Sequence, residues 1–223
     1  MDFVLAKNNF VMKSNYMNPS LAEENLQTIR TLMERSALYR RALAPIMISA
    51  GVLGLLATGT GLYFHVESPK AFVGLWFGAA GVAVVAALLL ARRQAFKEQE
   101  AFWSPPTRRV GQALLPPLLC GMFIGILCAM VDGNWSLNFP LAMAWLLFYG
   151  CALHSAGFFM ARGIKWLGWI FIIGAISLII LLFFANWSGR PQAATLTMGF
   201  FFGVLHLAYG AYLYLTEKRK NAA

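Results

Sequence analysis

The chain has 223 residues, 59% of them hydrophobic and 12% charged, with a net charge of +9. A soluble domain carries about 25% charged residues, and here the apolar residues come in long blocks without the 3.6-residue or two-residue rhythm of a water-facing fold. That excludes an ordinary soluble domain, and the blocks are too long for the strands of a membrane barrel.

In chain order, residues 1–19 form a polar arm with no charged, apolar and small-residue order of a cleavable signal. Met17 opens a run, Met-Asn-Pro-Ser, that is a second candidate start. Residues 20–41 predict one amphipathic helix: Ser20 and Glu23 have the capping-box form, and Leu26, Ile29, Met33 and Ala37 recur at helical spacing. Its stripe has to be covered by the membrane surface, by the bundle's own face, by a partner protein or by a second copy of the chain. Leu26, Ile29 and Met33 are therefore the candidate partner-binding residues.

Spans of about 20 apolar residues follow near 42–64, 71–91, 113–131, 139–160, 166–184 and 193–215, and residues 216–223 form a basic tail. Between the second and third spans lies the one long internal loop, 92–109, where Ser104-Pro105-Pro106 breaks any helix leaving the second span. Pro116-Pro117 is expected to kink or unwind the start of the third span. Trp103, Trp135, Trp166, Trp169 and Trp187 fall at the ends of spans, as interfacial tryptophans do.

Sixteen of the eighteen Lys and Arg residues fall on one side of this alternation, and only Lys70 and Arg190 on the other. The rich side reads as cytoplasmic, with both termini there. Topology and anionic headgroups account for the net charge, so the composition calls for the lipid bilayer as a partner and not for nucleic acid.

A shift of 52 residues superposes Asn134-Trp135-Ser136 on Asn186-Trp187-Ser188, Leu153-His154 on Leu205-His206, and Phe148 on Phe200. A looser match relates Leu75-Trp76-Phe77-Gly78 to Leu147-Phe148-Tyr149-Gly150. The pattern predicts three hairpins related by a parallel repeat. The Asn-Trp-Ser runs also fit the glycosylation acceptor pattern, but such short turns hug the membrane and are expected to stay unmodified.

No Asp, Glu, Lys or Arg lies well inside a span. Ion-coupled pumps and proton relays usually keep such a group in the membrane, so this pattern argues against them, and it also removes the paired carboxylates of acid–base catalysis. Cys120, Cys128 and Cys151 all fall inside spans and read as apolar filler, not a disulfide framework. His65 ends the first span and reads as interfacial.

His154 and His206 each follow the Ser of their Asn-Trp-Ser run by eighteen residues, which places them at similar depth. They are the candidate cofactor-binding residues, for haem iron, a divalent metal or a quinone head group if the imidazoles face each other. The alternative is that each bonds a Ser, Tyr or backbone carbonyl between helices, with Ser155, Tyr149 and Tyr209 nearby. The Gly-x-x-x-Gly pairs Gly74/Gly78, Gly121/Gly125 and Gly199/Gly203 suit close helix packing, within the chain or between copies.

The run Leu32-Met33-Glu34-Arg35-Ser36, with Phe148 through Met160 and the following Arg162-Gly163, resembles a group of uncharacterised bacterial multi-span membrane proteins. The resemblance implies a bacterial inner-membrane protein and brings no activity with it. The sequence thus predicts an all-α polytopic membrane protein: six transmembrane helices as three hairpins, preceded by a cytoplasmic amphipathic helix. It calls for no cofactor and no enzymatic role. The function expected is a non-catalytic membrane module that docks a partner, or forms a homodimer, through 20–41 and 92–109. A small permease or lipid-associated protein with a neutral pocket near Pro116, Tyr149 and Tyr209 is one alternative, and a haem- or quinone-binding protein using His154 and His206 is the other.

Overall fold

Uncharged runs long enough to satisfy their own backbone as helices set the architecture. The computed structural model describes residues 42–97, 99, 101–131, 137–184 and 191–221, and all regular structure among them is helical. The segment 20–41, with Leu26, Ile29 and Met33, lies outside the described residues, as do both Asn-Trp-Ser runs.

The helices are α1 (Ala42–Tyr63), α2 (Pro69–Lys97), α3 (Pro105–Met130), α4 (Asn138–Ala156) and α5 (Arg162–Phe184). The chain continues through α6 (Pro191–Met198), a π-helical segment (Gly199–Leu205) and α7 (His206–Asn221). Six stretches are long and apolar enough to cross a membrane, the sixth running through α6, the π segment and α7 as Gln192–Thr216.

Local chemistry explains most boundaries. α1 ends at Tyr63, and just beyond it His65 has a left-handed φ of 48° while the Val66 N–H donates to the Gly61 carbonyl at 2.9 Å. This is the helix-ending motif that glycine serves best. His65→Gly is therefore expected to raise stability by about 1 kcal/mol, the order of the left-handed penalty on a side chain; an unchanged or lower unfolding midpoint in detergent would count against it. α4 ends at Ala156, short of the expected residue 160, where Gly157 donates to the Leu153 carbonyl at 2.8 Å.

The third span differs from expectation. Pro116 and Pro117 lie inside a continuous helix and do not unwind its start, because α3 begins earlier, at Pro105, after Ser104. Proline suits a helix's first positions, where the missing N–H costs nothing. Pro116 and Pro117 are the twelfth and thirteenth of its 26 residues, so the hydrogen bonds they cannot donate are lost near the middle of the helix.

Two glycine seams hold the bundle. Along α1 and the sixth span, Gly51 faces Gly203 and Leu207, Gly54 faces Phe202, Thr58 faces Gly199, and Ile48 faces Gly210. The pair numbers run in opposite directions, so the two helices are antiparallel. Along α4 and α5, Gly150 and His154 face Gly168, and Gly157 faces Lys165. α4 packs on α5, α3 and α6, while α2 meets α3. Gly121 and Gly125 receive Trp145, Phe148 and Phe77, whereas Gly74 and Gly78 face open space.

Two apolar clusters fill the interior. One joins Leu43, Met47, Leu146, Leu153, Ile164, Phe171 and Leu213, and the other joins Phe72, Trp76, Phe139, Trp145, Ala194 and Met198. Phe202 packs against both. Trp145 Nε1 donates to the Gly121 carbonyl at 2.8 Å, and the buried Asn138 donates to the Glu67 carbonyl at 2.6 Å. The outer faces of α2, α3 and α5 are large exposed apolar side chains, as a lipid-facing surface requires.

Candidate functional site

His206, which is 1% exposed, is one of the buried polar side chains of the interior, together with Asn138 and Thr195. It stands at the first position of α7, where the π segment ends. π-helical turns open the regular bonding ladder and occur often at functional sites. Here the Phe201 carbonyl lies 3.0 Å from His206 Nδ1. A carbonyl only accepts, so Nδ1 carries the hydrogen. In the neutral ring, Nε2 then accepts from the Tyr149 hydroxyl, 2.8 Å away on α4. Phe171, Phe202 and Tyr149 surround the imidazole, with Phe202 stacked on it at 5.9 Å.

His154 has different neighbours. Its ring meets Phe158 and Trp169 edge-on at 5.4 and 5.2 Å, and its Nδ1 is buried with no hydrogen-bond partner. The two imidazoles therefore sit in separate surroundings. Both nitrogens of His206 are already engaged, so haem iron or a quinone there would have to displace Tyr149 or the Phe201 carbonyl. Among the described residues no group of three or more His, Cys, Asp or Glu side chains converges. Pro116 is exposed on α3, Tyr149 is enclosed by Phe171, Phe202 and His206, and Tyr209 lies against Gly163 and Tyr212. Tyr149 and Tyr209 both pack against the apolar cluster of Leu146, Leu153 and Phe171.

A second feature lies at one end of the bundle. α2 has 29 residues and α3 has 26, or roughly 43 and 39 Å at about 1.5 Å per residue. A hydrocarbon core is about 30 Å thick. Between Lys70 and Arg92 the second helix carries no charge, so its overshoot lies at the end bearing Arg92, Arg93 and Lys97. α3 starts beside it with Arg108 and Arg109. Gln99, at φ 55°, terminates α2, and the Ser104 and Thr107 hydroxyls bond at 3.0 Å at the start of α3. Phe96 and Trp103 are each 64% exposed on this projection, with the Arg92 guanidinium 5.4 Å from the Phe96 ring centre. Its cations form no ion pair among the described residues, and the one carboxylate whose side chain is described, Glu67, lies before α2.

The fold and these sites define an α-helical bundle with six helices fit to span a membrane. No family model, curated protein or solved structure matches the chain.

The π segment and the α1 seam were not expected. Gly51, Gly54, Thr58 and Gly61 recur at alternating steps of three and four, a small-residue stripe that a search confined to Gly-x-x-x-Gly passes over.

Proposed function

We propose that this protein is a non-catalytic module of a bacterial inner membrane that docks a partner protein on its cytoplasmic side. Both termini and the 92–109 segment face the cytoplasm in this reading, and the amphipathic stripe of Leu26, Ile29 and Met33 adds to the docking face. The hairpin pairing and the 52-residue repeat belong to the same proposal.

The observation that carries it is the α2–α3 projection. Five cations and two aromatic side chains stand beyond the span, and the cations form no ion pair among the described residues, which leave out Glu98 and Glu100 of the same segment. Exposed aromatic and Arg residues are the usual energetic centres of protein interfaces. The partner is a protein that presents carboxylates around a pocket for Trp103 or Phe96.

The test is cross-linking in intact membranes followed by affinity measurement with the identified partner. Trp103→Ala is expected to weaken association at least about tenfold, as truncation of a central interface aromatic does. Removal of 20–41 should weaken it further. A partner that cross-links elsewhere and binds equally well to both variants would overturn the proposal.

A further inference from the structure

We propose that the turn between α4 and α5 binds an anionic phospholipid, with its headgroup at Arg162 and Lys165 and one acyl chain along the exposed face of α5. The inference rests on the membrane-spanning reading of the helices and not on the partner protein.

The charges come first. Arg162 and Lys165 are one helical turn apart, a spacing at which like charges repel. They also stand in the first turn of α5, where the helix dipole disfavours cations. Neither forms an ion pair among the described residues. The Lys165 side chain is nevertheless held: its stem lies against Gly157, and its Nζ sits 3.7 Å from the centre of the Phe158 ring. Phe158 is held in turn by the edge of His154. The fold thus fixes a cation beside another cation, and a phosphodiester between the two would relieve the repulsion.

The apolar half continues from the same turn. Trp166 is 71% exposed, and Trp169, Ile170 and Ile173 follow it on the outside of α5. Tryptophan prefers the headgroup level, and the isoleucines beyond it supply a wall for an acyl chain. Free phosphate would use the cations alone; a lipid uses both parts, which is why the lipid is the occupant proposed.

The test is native mass spectrometry of the full-length protein in detergent, titrated with phosphatidylglycerol, phosphatidylcholine or inorganic phosphate. Phosphatidylglycerol is expected to bind in preference to phosphatidylcholine, and inorganic phosphate is expected not to displace it. R162Q/K165Q should lower phosphatidylglycerol affinity about thirty-fold, the loss of two basic contacts of the size found near anionic surfaces. R162K/K165R should retain it. K218Q/K220Q, which removes the same charge from the tail, should change it less than about twofold if the contact is local. Trp166→Ala leaves the core untouched and should weaken lipid binding even if the double variant fails to fold. Equal losses in the two charge-matched variants, no preference between the lipids, displacement by inorganic phosphate, or unaltered binding to Trp166→Ala would each overturn the proposal.

Discussion

Gly54→Ala is expected to lower stability by about 2 kcal/mol, although alanine is the better helix former by about 1 kcal/mol. A Cβ at this position would lie 2.5 Å from the Phe202 carbonyl oxygen and 2.9 Å from the Gly203 nitrogen. Both atoms are backbone, so no side-chain rotation relieves the clash and the helices must move apart. Overpacking of this kind costs about 1–3 kcal/mol, and separation along the antiparallel seam also loosens the Thr58–Gly199 and Gly51–Gly203 contacts. Gly59→Ala and Gly74→Ala are the matched controls, because nothing lies within 4 Å of a Cβ at either position. They should be neutral or stabilising by up to about 1 kcal/mol. Thermal unfolding in detergent separates the cases. Equal midpoints for Gly54→Ala and Gly74→Ala would show that the α1 seam does not hold the bundle.

The same seam shows how far the sequence could be read. The six apolar blocks were legible because a bilayer demands a span length, and no charge interrupts residues 71–91 or 166–184. Helix ends were less legible, because polar chemistry sets them. α2 runs on to Lys97 and α3 starts at Pro105, so the projection that carries the docking proposal shows only when helix length is compared with membrane thickness. Which helices touch was hidden for another reason. In an apolar chain nearly every face tolerates lipid, and glycine spacing alone does not name a partner. Gly199 and Gly203 pack within the chain against Thr58 and Leu55, while the identically spaced Gly74 and Gly78 face outward.

The candidate histidines divide in the same manner. A tyrosine or a carbonyl was among the partners open to His206, and it has one of each. The choice of carbonyl depends on the π segment, which no propensity marks. Phe200, Phe201 and Phe202 are ordinary in a membrane helix, and the wider turn is fixed by tertiary packing: Phe201 against Gly174, and Phe202 against Trp76 and Tyr149. His154, its counterpart under the 52-residue shift, ends a regular helix and meets Trp169 instead.

His206→Leu is expected to cost about 2–3 kcal/mol, and Tyr149→Phe about 1 kcal/mol. The leucine leaves the Tyr149 hydroxyl without His206 in a dry interior and removes the bond to the Phe201 carbonyl, and an orphaned buried group costs about 1–3 kcal/mol. Removal of the hydroxyl alone leaves only Nε2 unmatched, and interhelical hydrogen bonds in membranes are typically worth about 0.6–2 kcal/mol. The double variant is the decisive one. With both the ring and the hydroxyl gone, neither side chain leaves the other unmatched, so Tyr149→Phe/His206→Leu should be less destabilised than the sum of its parts by about 1 kcal/mol. That non-additivity, measured by unfolding in detergent, is the signature of a buried pair whose members exist to satisfy each other. Strict additivity would mean that Tyr149 and His206 act independently. A bound group on His206 predicts something else again. Nε2 would then be needed for the ligand, and Tyr149→Phe, by freeing it, would strengthen the absorbance of added haem or the retention of added quinone. An internal structural pair predicts no such gain, so the one phenylalanine substitution separates a histidine that holds two helices together from one that waits for a cofactor.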